Sequence, residues 1–398
     1  MNQNILRPKI FMMDLLATVP YYTAYLSKAL LAEDVDVTVG SISYYLDPTC
    51  FSSRGIPIDP GLLNVVGRVH LPRTPRRILK LIEAIINLGA LAIRFLASPP
   101  DVIHVQYLPM VKWRVPLDLW FLKFCQMRGV KIVLTVHDLL PHDSGEVYRK
   151  TFHTVYLLAD RMICHSEHIR TRLSAEFSVP AEKVAVIPHG PFFYDLPAEG
   201  FKQTSQDLQI RPGMVTILWQ GIIFPYKGID LLLDAWQKVE ANCENACLVI
   251  VGTGAPEFLD QIREQARQLD LKRVSLDFRF ISTDELVALY RAADIVVYPY
   301  RAITTSGALA TGLAMAKAIV ASDLPVFREL LTNRKNALLV DPQVPCDLAD
   351  ALIELIRDAA LRGQLNENVR QMNFGDESWH SIARETIEVY ERVLPVPS

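Results

Sequence analysis

The sequence predicts two α/β domains, each a parallel sheet covered by helices. Three observations carry this. Short apolar runs alternate with longer helical patterns from end to end, as in a sheet buried on both faces. The alternation stops between Pro188 and Pro212, where Pro188, Gly190, Pro191, Pro197, Gly200 and Pro212 leave few periodic apolar positions, and then restarts. With 398 residues, half of them apolar, the chain holds material for two cores. The expected boundaries are a first domain at 1–195, a linker at 196–212, a second domain at 213–375 and a terminal helix at 376–398.

In the first domain, strands are expected at 9–13, 35–40, 102–105, 131–136, 161–164 and 184–187, with helices at 22–31, 78–96, 117–127 and 169–177. In the second, strands are expected at 215–219, 246–251, 274–280, 295–298 and 318–321. Helices are expected there at 229–239, 258–269, 286–293, from Gly307 onward and at 348–361. Such βαβ alternation builds a doubly wound sheet, and two of these would face each other across a cleft, with ligands at the carboxyl ends of the strands.

Composition narrows the function. With 41 Lys plus Arg against 44 Asp plus Glu, the net charge is −3 and the chain lacks the basic excess of a general nucleic-acid binder. Six cysteines (Cys50, Cys125, Cys164, Cys243, Cys247, Cys346) form no CxxC pair, which argues against a disulfide scaffold or structural zinc and fits a reducing cytosol. The start of the chain lacks a signal-peptide pattern. The longest apolar stretch, 81–97, is broken by Glu83, Asn87 and Arg94, so no membrane span is expected.

The most informative segment is Trp219-Gln220-Gly221-Ile222-Ile223-Phe224-Pro225-Tyr226-Lys227-Gly228, which leaves a strand and enters a helix. Gly221 permits a tight turn, Lys227 supplies a point positive charge, and Gly228 opens a helix whose free N–H groups favour anions. Together they can hold a diphosphate; an ordinary strand-turn-helix with a solvated lysine fits the same spacing. A second segment runs Tyr298-Pro299-Tyr300-Arg301-Ala302-Ile303-Thr304-Thr305-Ser306-Gly307, then a helix of small residues. Ser306 or Thr305 can cap that helix, and its N–H groups near Gly307 form another anion site.

The order of segments resembles the retaining GT-B glycosyltransferases of family 4. Asp101-Val102-Ile103-His104-Val105 resembles the family's D-hydrophobic-I-H strand, and Leu134-Thr135-Val136-His137-Asp138 its T-x-H-D strand end. Ile187-Pro188-His189-Gly190 resembles I-P-x-G, Gly221 through Gly228 the G-x-x-x-x-x-K-G loop, and Gly252-Thr253-Gly254 the G-x-G strand end. Tyr290-Arg291-Ala292-Ala293-Asp294 and Ala318-Ile319-Val320-Ala321-Ser322 match the later segments. The sequence departs from the family where two glutamates usually stand, at Ile303 and Thr311, and where an arginine usually follows the first glycine of the phosphate loop, at Ile222.

The resemblance implies transfer of a hexose from a nucleotide-diphosphate sugar, a UDP-sugar ahead of GDP-mannose, to a saccharide or lipid-linked acceptor, without a metal or other cofactor. It implies catalytic roles for His137 and Lys227. It places Gly221, Lys227, Gly228, Thr305, Ser306, Gly307 and Thr311 at the donor, with Phe280 and Ile281 presenting backbone to the base. Arg301 would replace the missing arginine. The departing phosphate would accept the acceptor's proton, so no separate base is needed. The terminal helix would cross back onto the first domain, anchored by Trp379. The missing glutamates leave open a non-catalytic sugar- or nucleotide-binding module; a sugar epimerase or phosphorylase of similar architecture is the third reading.

Other features read more plainly. His165 and His168 stand three apart at a helix start without a third metal ligand at a known spacing. Asp34-Val35-Asp36 reads as turn chemistry. The cluster Arg73, Arg76, Arg77 and Lys80 leads into the apolar helix at 78–96. It reads first as a core helix with a charged entry; the same pattern docks proteins on anionic lipid, at the inner face of the cell membrane in a cytoplasmic protein. Trp113, Arg114, Trp120, Phe121 and Lys123 belong to the acceptor side or pack the core.

Overall fold

A computed structural model describes residues 8–69, 72–108, 110–111, 116–140, 145–195 and 213–395. The expected linker at 196–212 lies outside the described residues, as do Trp113 and Arg114. The chain divides into two compact units, Met1–Pro188 with Trp379–Ser398, and His189–Ser378.

The first unit contains β1 (Lys9–Asp14), α1 (Pro20–Ala32), β2 (Asp36–Ser41), α2 (Arg73–Ala97), β3 (Val102–Val105), α3 (Leu117–Met127), β4 (Lys131–Thr135), α4 (Gly145–Leu158), β5 (Arg161–Cys164), α5 (Glu167–Phe177) and β6 (Val184–Val186). Its six strands lie in the order β2-β1-β3-β4-β5-β6, all parallel. Helix α1 begins at Pro20, whose fixed φ suits the first helical position and whose missing N–H costs nothing there. Asp34, at φ +64, turns the chain from α1 into β2. Ser166 caps α5 by accepting from the Ile169 N–H. The three polar residues that interrupt the apolar stretch of α2 all turn toward the loop that precedes it. Glu83 accepts from Val65 N–H at 2.5 Å, Asn87 pairs with both backbone groups of Leu63, and Arg94 forks onto Asp59. No helix among the described residues is long and apolar enough to cross a membrane.

The second unit contains β7 (Val215–Gln220), α6 (Ile229–Asn242), β8 (Ala246–Val251), α7 (Pro256–Gln268), β9 (Val274–Asp277), α8 (Thr283–Ala292), β10 (Ile295–Tyr298), α9 (Gly307–Ala314), β11 (Ala318–Ser322), β12 (Leu338–Val340), α10 (Pro345–Arg357) and α11 (Ala359–Arg370). Its parallel order is β12-β11-β10-β7-β8-β9. Trp219 and Trp236 are fully buried in one cluster with Ile250, Val297 and Leu352, which joins the sheet to α6 and α10. The helix expected at 348–361 is two helices. Asp358 leaves helical geometry and accepts from Leu361 N–H at 2.9 Å, so it caps a new helix. Helix α8 starts at Thr283, ahead of the expected 286, because Ser282 and Glu285 close a reciprocal capping box. Residues 189–195, assigned to the first domain from sequence, belong to this unit, where Phe192 N–H donates to Thr311 Oγ1 at 3.2 Å.

The terminal helix α12 (Asp376–Glu391) completes the first unit. Trp379 stacks on Tyr25 with ring centroids 5.5 Å apart. Tyr390 and His104 meet at 2.7 Å, and the other nitrogen of His104 meets Thr135 Oγ1 at 2.8 Å. Complete burial pushes the His104 pKa down to about 3, so the ring is neutral at physiological pH, with one donor and one acceptor matched by the two hydroxyls.

This link has a pH signature. The folded state binds a proton at His104 less readily than the unfolded chain, so its contribution is whole above the unfolded value of 6.5 and is lost as pH falls toward 3. The stability advantage of the wild type over His104→Asn should therefore narrow below pH 6.5 by about 1.4 kcal/mol per pH unit, read from denaturant unfolding at a series of pH values. A constant gap across that range would contradict the assignment.

Candidate active site

In an open parallel sheet, ligands bind outside the carboxyl ends of the strands where the strand order reverses. In the second unit the chain runs from β7 outward through β8 to β9, then returns to β10 on the other side of β7. The reversal lies between β7 and β10. The loops that follow these two strands are the two segments singled out in the sequence.

Four close approaches shape the crevice. Gly252 (φ +144) lies so near Gly221 that a Cβ at 252 would stand 1.9 Å from the Gly221 carbonyl oxygen. Gly221 itself is at φ +146, and a Cβ there would stand 3.0 Å from Lys227 Nζ. The ammonium thus folds back over the glycine, 5.9 Å from the ring centre of Trp219 and 5.6 Å from that of Tyr300. Gly228 (φ +66) ends the single turn Pro225–Lys227 and opens α6; a Cβ there would stand 1.9 Å from the Pro299 carbonyl oxygen. Arg301 N–H then donates to Tyr226 O at 2.7 Å, tying the β10 loop to the β7 loop.

Helix α9 is fixed at its first turn. Ser306 Oγ accepts from Leu309 N–H at 3.1 Å. The hydroxyls of Tyr298 and Tyr290 both donate to Ala308 O, at 2.7 and 3.1 Å, and Gln220 Nε2 donates to Tyr290 at 2.8 Å. Burial pushes Tyr290 up to about 12, so this phenol stays a donor. Gly312 makes room for it all, since a Cβ there would stand 2.4 Å from the Tyr298 hydroxyl. The N–H groups of Gly307 and Ala308 precede the intrahelical ladder and are the ones a helix start offers an anion. Thr305 is half-buried beside them.

Two expected donor contacts have other tasks. Arg301 forks onto Asp230 at 2.8 and 2.6 Å and also donates to Pro225 O. A guanidinium held this way braces the Lys227 loop from α6. Thr311 is buried; its hydroxyl donates to Gly307 O at 2.8 Å and accepts from Phe192 N–H. It therefore shapes α9 without presenting oxygen to a ligand. Phe280 and Ile281 follow β9, two strands from β7, with Ile281 buried against Leu289 and Tyr290. Ile303, at the other glutamate position, packs against that same core.

In the first unit the order reverses between β1 and β3. Asp14 ends β1 and accepts from the N–H groups of Thr18 and Val19 at 2.8 and 2.9 Å, while burial raises its carboxyl to about 6. Gln106 follows β3 and His137 follows β4; His137 Nε2 lies 3.0 Å from Gln106 Oε1, so that nitrogen carries the proton. The His137 ring stands edge-on to Tyr22 with centroids 4.7 Å apart and 5.3 Å from His165. His165 Nδ1 donates to Ile187 O at 2.9 Å, and burial lowers its pKa to about 4. Gln106, Tyr107, His137, Asp138, Phe152 and Tyr156 line a cavity on this edge. Among the described residues no group of three or more His, Cys, Asp or Glu is placed to hold a metal. Gln106 was not singled out by sequence; the position just past a strand end was the available signal for it.

Two family models match this chain, one described as Glycosyltransferase Family 4 over residues 19–190 and one described as Glycosyl transferases group 1 over residues 215–358. The chain belongs to the family 4 glycosyltransferases. This glycosyltransferase is 27% identical over 320 residues to a D-inositol 3-phosphate glycosyltransferase of Kineococcus radiotolerans, covering 74% of this chain and 72% of that protein. It is 25% identical over 278 residues to an uncharacterized glycosyltransferase of Methanocaldococcus jannaschii, covering 67% and 70%. Among solved structures it is similar to the Anabaena HepE protein in complex with UDP and glucose, with a TM-score of 0.75 at 17% identity, over 97% of this chain and all of that one. The two six-stranded parallel sheets with their flanking helices are the two Rossmann-like domains of the GT-B fold.

The glycine contacts give a direct test. Gly228→Ala should destabilise the glycosyltransferase by more than about 1 kcal/mol, because the left-handed backbone and the Pro299 carbonyl both oppose a Cβ. Denaturant midpoints check this. Arg301→Ala should cost at most about 1 kcal/mol, since its pair with Asp230 is over a third exposed on each side. Its larger effect should be looser donor binding through a mobile Lys227 loop, read by titration calorimetry with a nucleoside diphosphate.

Proposed function

We propose that this glycosyltransferase moves a hexose, with retention at the anomeric carbon, from a nucleotide-diphosphate sugar to a saccharide or lipid-linked acceptor in polysaccharide or glycolipid synthesis. The observation that carries the reading is the ammonium of Lys227 folded over Gly221 at the point of strand reversal, just before the start of α6. A UDP-sugar is preferred to GDP-mannose. The support is that HepE was solved with UDP and glucose. The six scattered cysteines, five of them buried, support a cytoplasmic setting.

The chemistry is charge handling. As the bond from sugar to diphosphate breaks, the leaving group gathers negative charge and the sugar gains oxocarbenium character. Lys227 and the N–H groups at Gly228, Thr305, Ser306 and Gly307 stabilise that charge more in the transition state than in the ground state, so they accelerate the step as well as binding the donor. These groups supply the positive charge that a metal supplies elsewhere. The departing phosphate takes the acceptor's proton. Backbone at Phe280 and Ile281 meets the base. His137, its Nε2 proton directed at Gln106, and the cavity beside it take part of the acceptor.

Lys227→Ala should lower kcat by about 10²–10³-fold, the loss typical for one preorganised donor to a developing anion. UDP should raise the melting temperature of the wild type more than GDP or ADP does, since only ligands that favour the native state shift it. Absence of turnover with every donor, together with a clear UDP shift, would support a binding module instead.

A further inference from the structure

We propose that the outward face of α2 docks this glycosyltransferase on an anionic bilayer. Helix α2 was read first as a core helix with a charged entry; only one side of it is buried. Ala84, Leu88, Leu91 and Phe95 enter the core, while Ile78, Ile82, Ile85, Ile86, Ile93 and Leu96 are 42–71% exposed. These six recur at helical spacing, and Gly89 stands among them with open space where a Cβ would be. The helix has 25 residues and is therefore about 37 Å long at 1.5 Å per residue, with no charged side chain on that face. The apolar area widens on one flank. Val65 and Val69, each 41% exposed, sit on the loop that Glu83 and Asn87 hold against the helix. A continuous apolar surface of this kind marks a contact site.

Charge identifies the occupant. Between residues 61 and 97 there are six Lys or Arg, with Arg68 on the loop before α2, and one carboxylate, Glu83, which is turned inward. Arg73, Arg76 and Arg77 stand at the N-terminal end of α2, whose first turn carries no acid. Cations there oppose the helix dipole, an arrangement that an anionic surface offsets. At the C-terminal end Arg94 is paired with Asp59, and Arg128, which donates to Leu96 O at 3.0 Å, brings the positive charge. A second copy pairing through this face would therefore bring like charges together in either direction, whereas anionic lipid meets both ends. Arg76 lies 4.2 Å from the Tyr45 ring centre and Lys80 reaches Leu16 O at 3.5 Å, so the basic end of α2 borders the turn after β1. A docked bilayer would run beside the carboxyl edge of the first sheet, the edge at which the proposed function places a lipid-linked acceptor. The docking itself does not depend on which donor is used.

The test is co-sedimentation of the full chain with vesicles of phosphatidylcholine alone or mixed with phosphatidylglycerol. Binding to the anionic vesicles should be at least about tenfold tighter and should weaken with salt. The triple variant Ile82→Glu, Ile86→Glu, Ile93→Glu should lose it with an unchanged melting temperature, because these side chains touch solvent in the folded state. Arg68→Glu with Arg77→Glu should remove the preference for anionic lipid while leaving α2 folded. No vesicle binding, equal binding to both vesicle types, or a solution dimer that the triple variant dissolves would overturn the proposal; light scattering on the same samples reads the last of these.

Discussion

Gly228 meets the carbonyl of Pro299 at a separation that leaves no room for a side chain, and this contact joins the loop after β7 to the loop after β10. The rest of the second unit's site follows from it. The left-handed backbone at 228 closes one turn and opens α6, which aims that helix's first N–H groups at the crevice. The backbone bond from Arg301 to Tyr226 extends the same seam, and the Arg301–Asp230 fork locks it from outside. With both loops held, Lys227 has little choice of direction. It lies over Gly221 between two aromatic rings, where the proposed function places the donor's diphosphate. Preorganisation of this kind costs nothing at the moment of reaction because folding has already set it.

In both units a set of buried, hydrogen-bonded polar groups ends strands or steadies helix starts. Tyr298 and Tyr290 hold the first turn of α9 through one carbonyl, and Gln220 completes the chain. Asp14 holds the turn into α1, and Gln106 sets the proton on His137. Burial unpaired would cost each of these groups more than its net hydrogen-bond energy. Helix α2 shows the same economy reversed: its polar side chains serve the protein's own loop, and its isoleucines are left outside.

Much of the fold was legible because its signals are local. Apolar runs such as Ile10-Phe11-Met12-Met13 and Leu248-Val249-Ile250-Val251 make buried parallel strands wherever the chain places them. Helix starts that depend on tertiary partners or on caps were placed less well, as at Thr283 and at the break at Asp358. In the site, glycines and Lys227 stood out because their spacing is a property of one loop. Arg301 and Thr311 have partners that spacing did not reveal, because packing decides what a polar side chain meets. Asp230 is 71 residues from Arg301, and Phe192 is 119 from Thr311.

The sequence by itself determined two parallel α/β units, the glycine-and-lysine loop after β7 and the capped start of α9, since each depends on residues within a few positions of one another. Only the tertiary structure decided the strand order, and with it which two loops flank the reversal. It also decided which guanidinium is consumed by a brace, which hydroxyl is buried in a helix, and which face of α2 meets solvent. Periodicity tells that a helix has two faces; what covers them depends on packing between segments far apart in the chain, and nothing local encodes that.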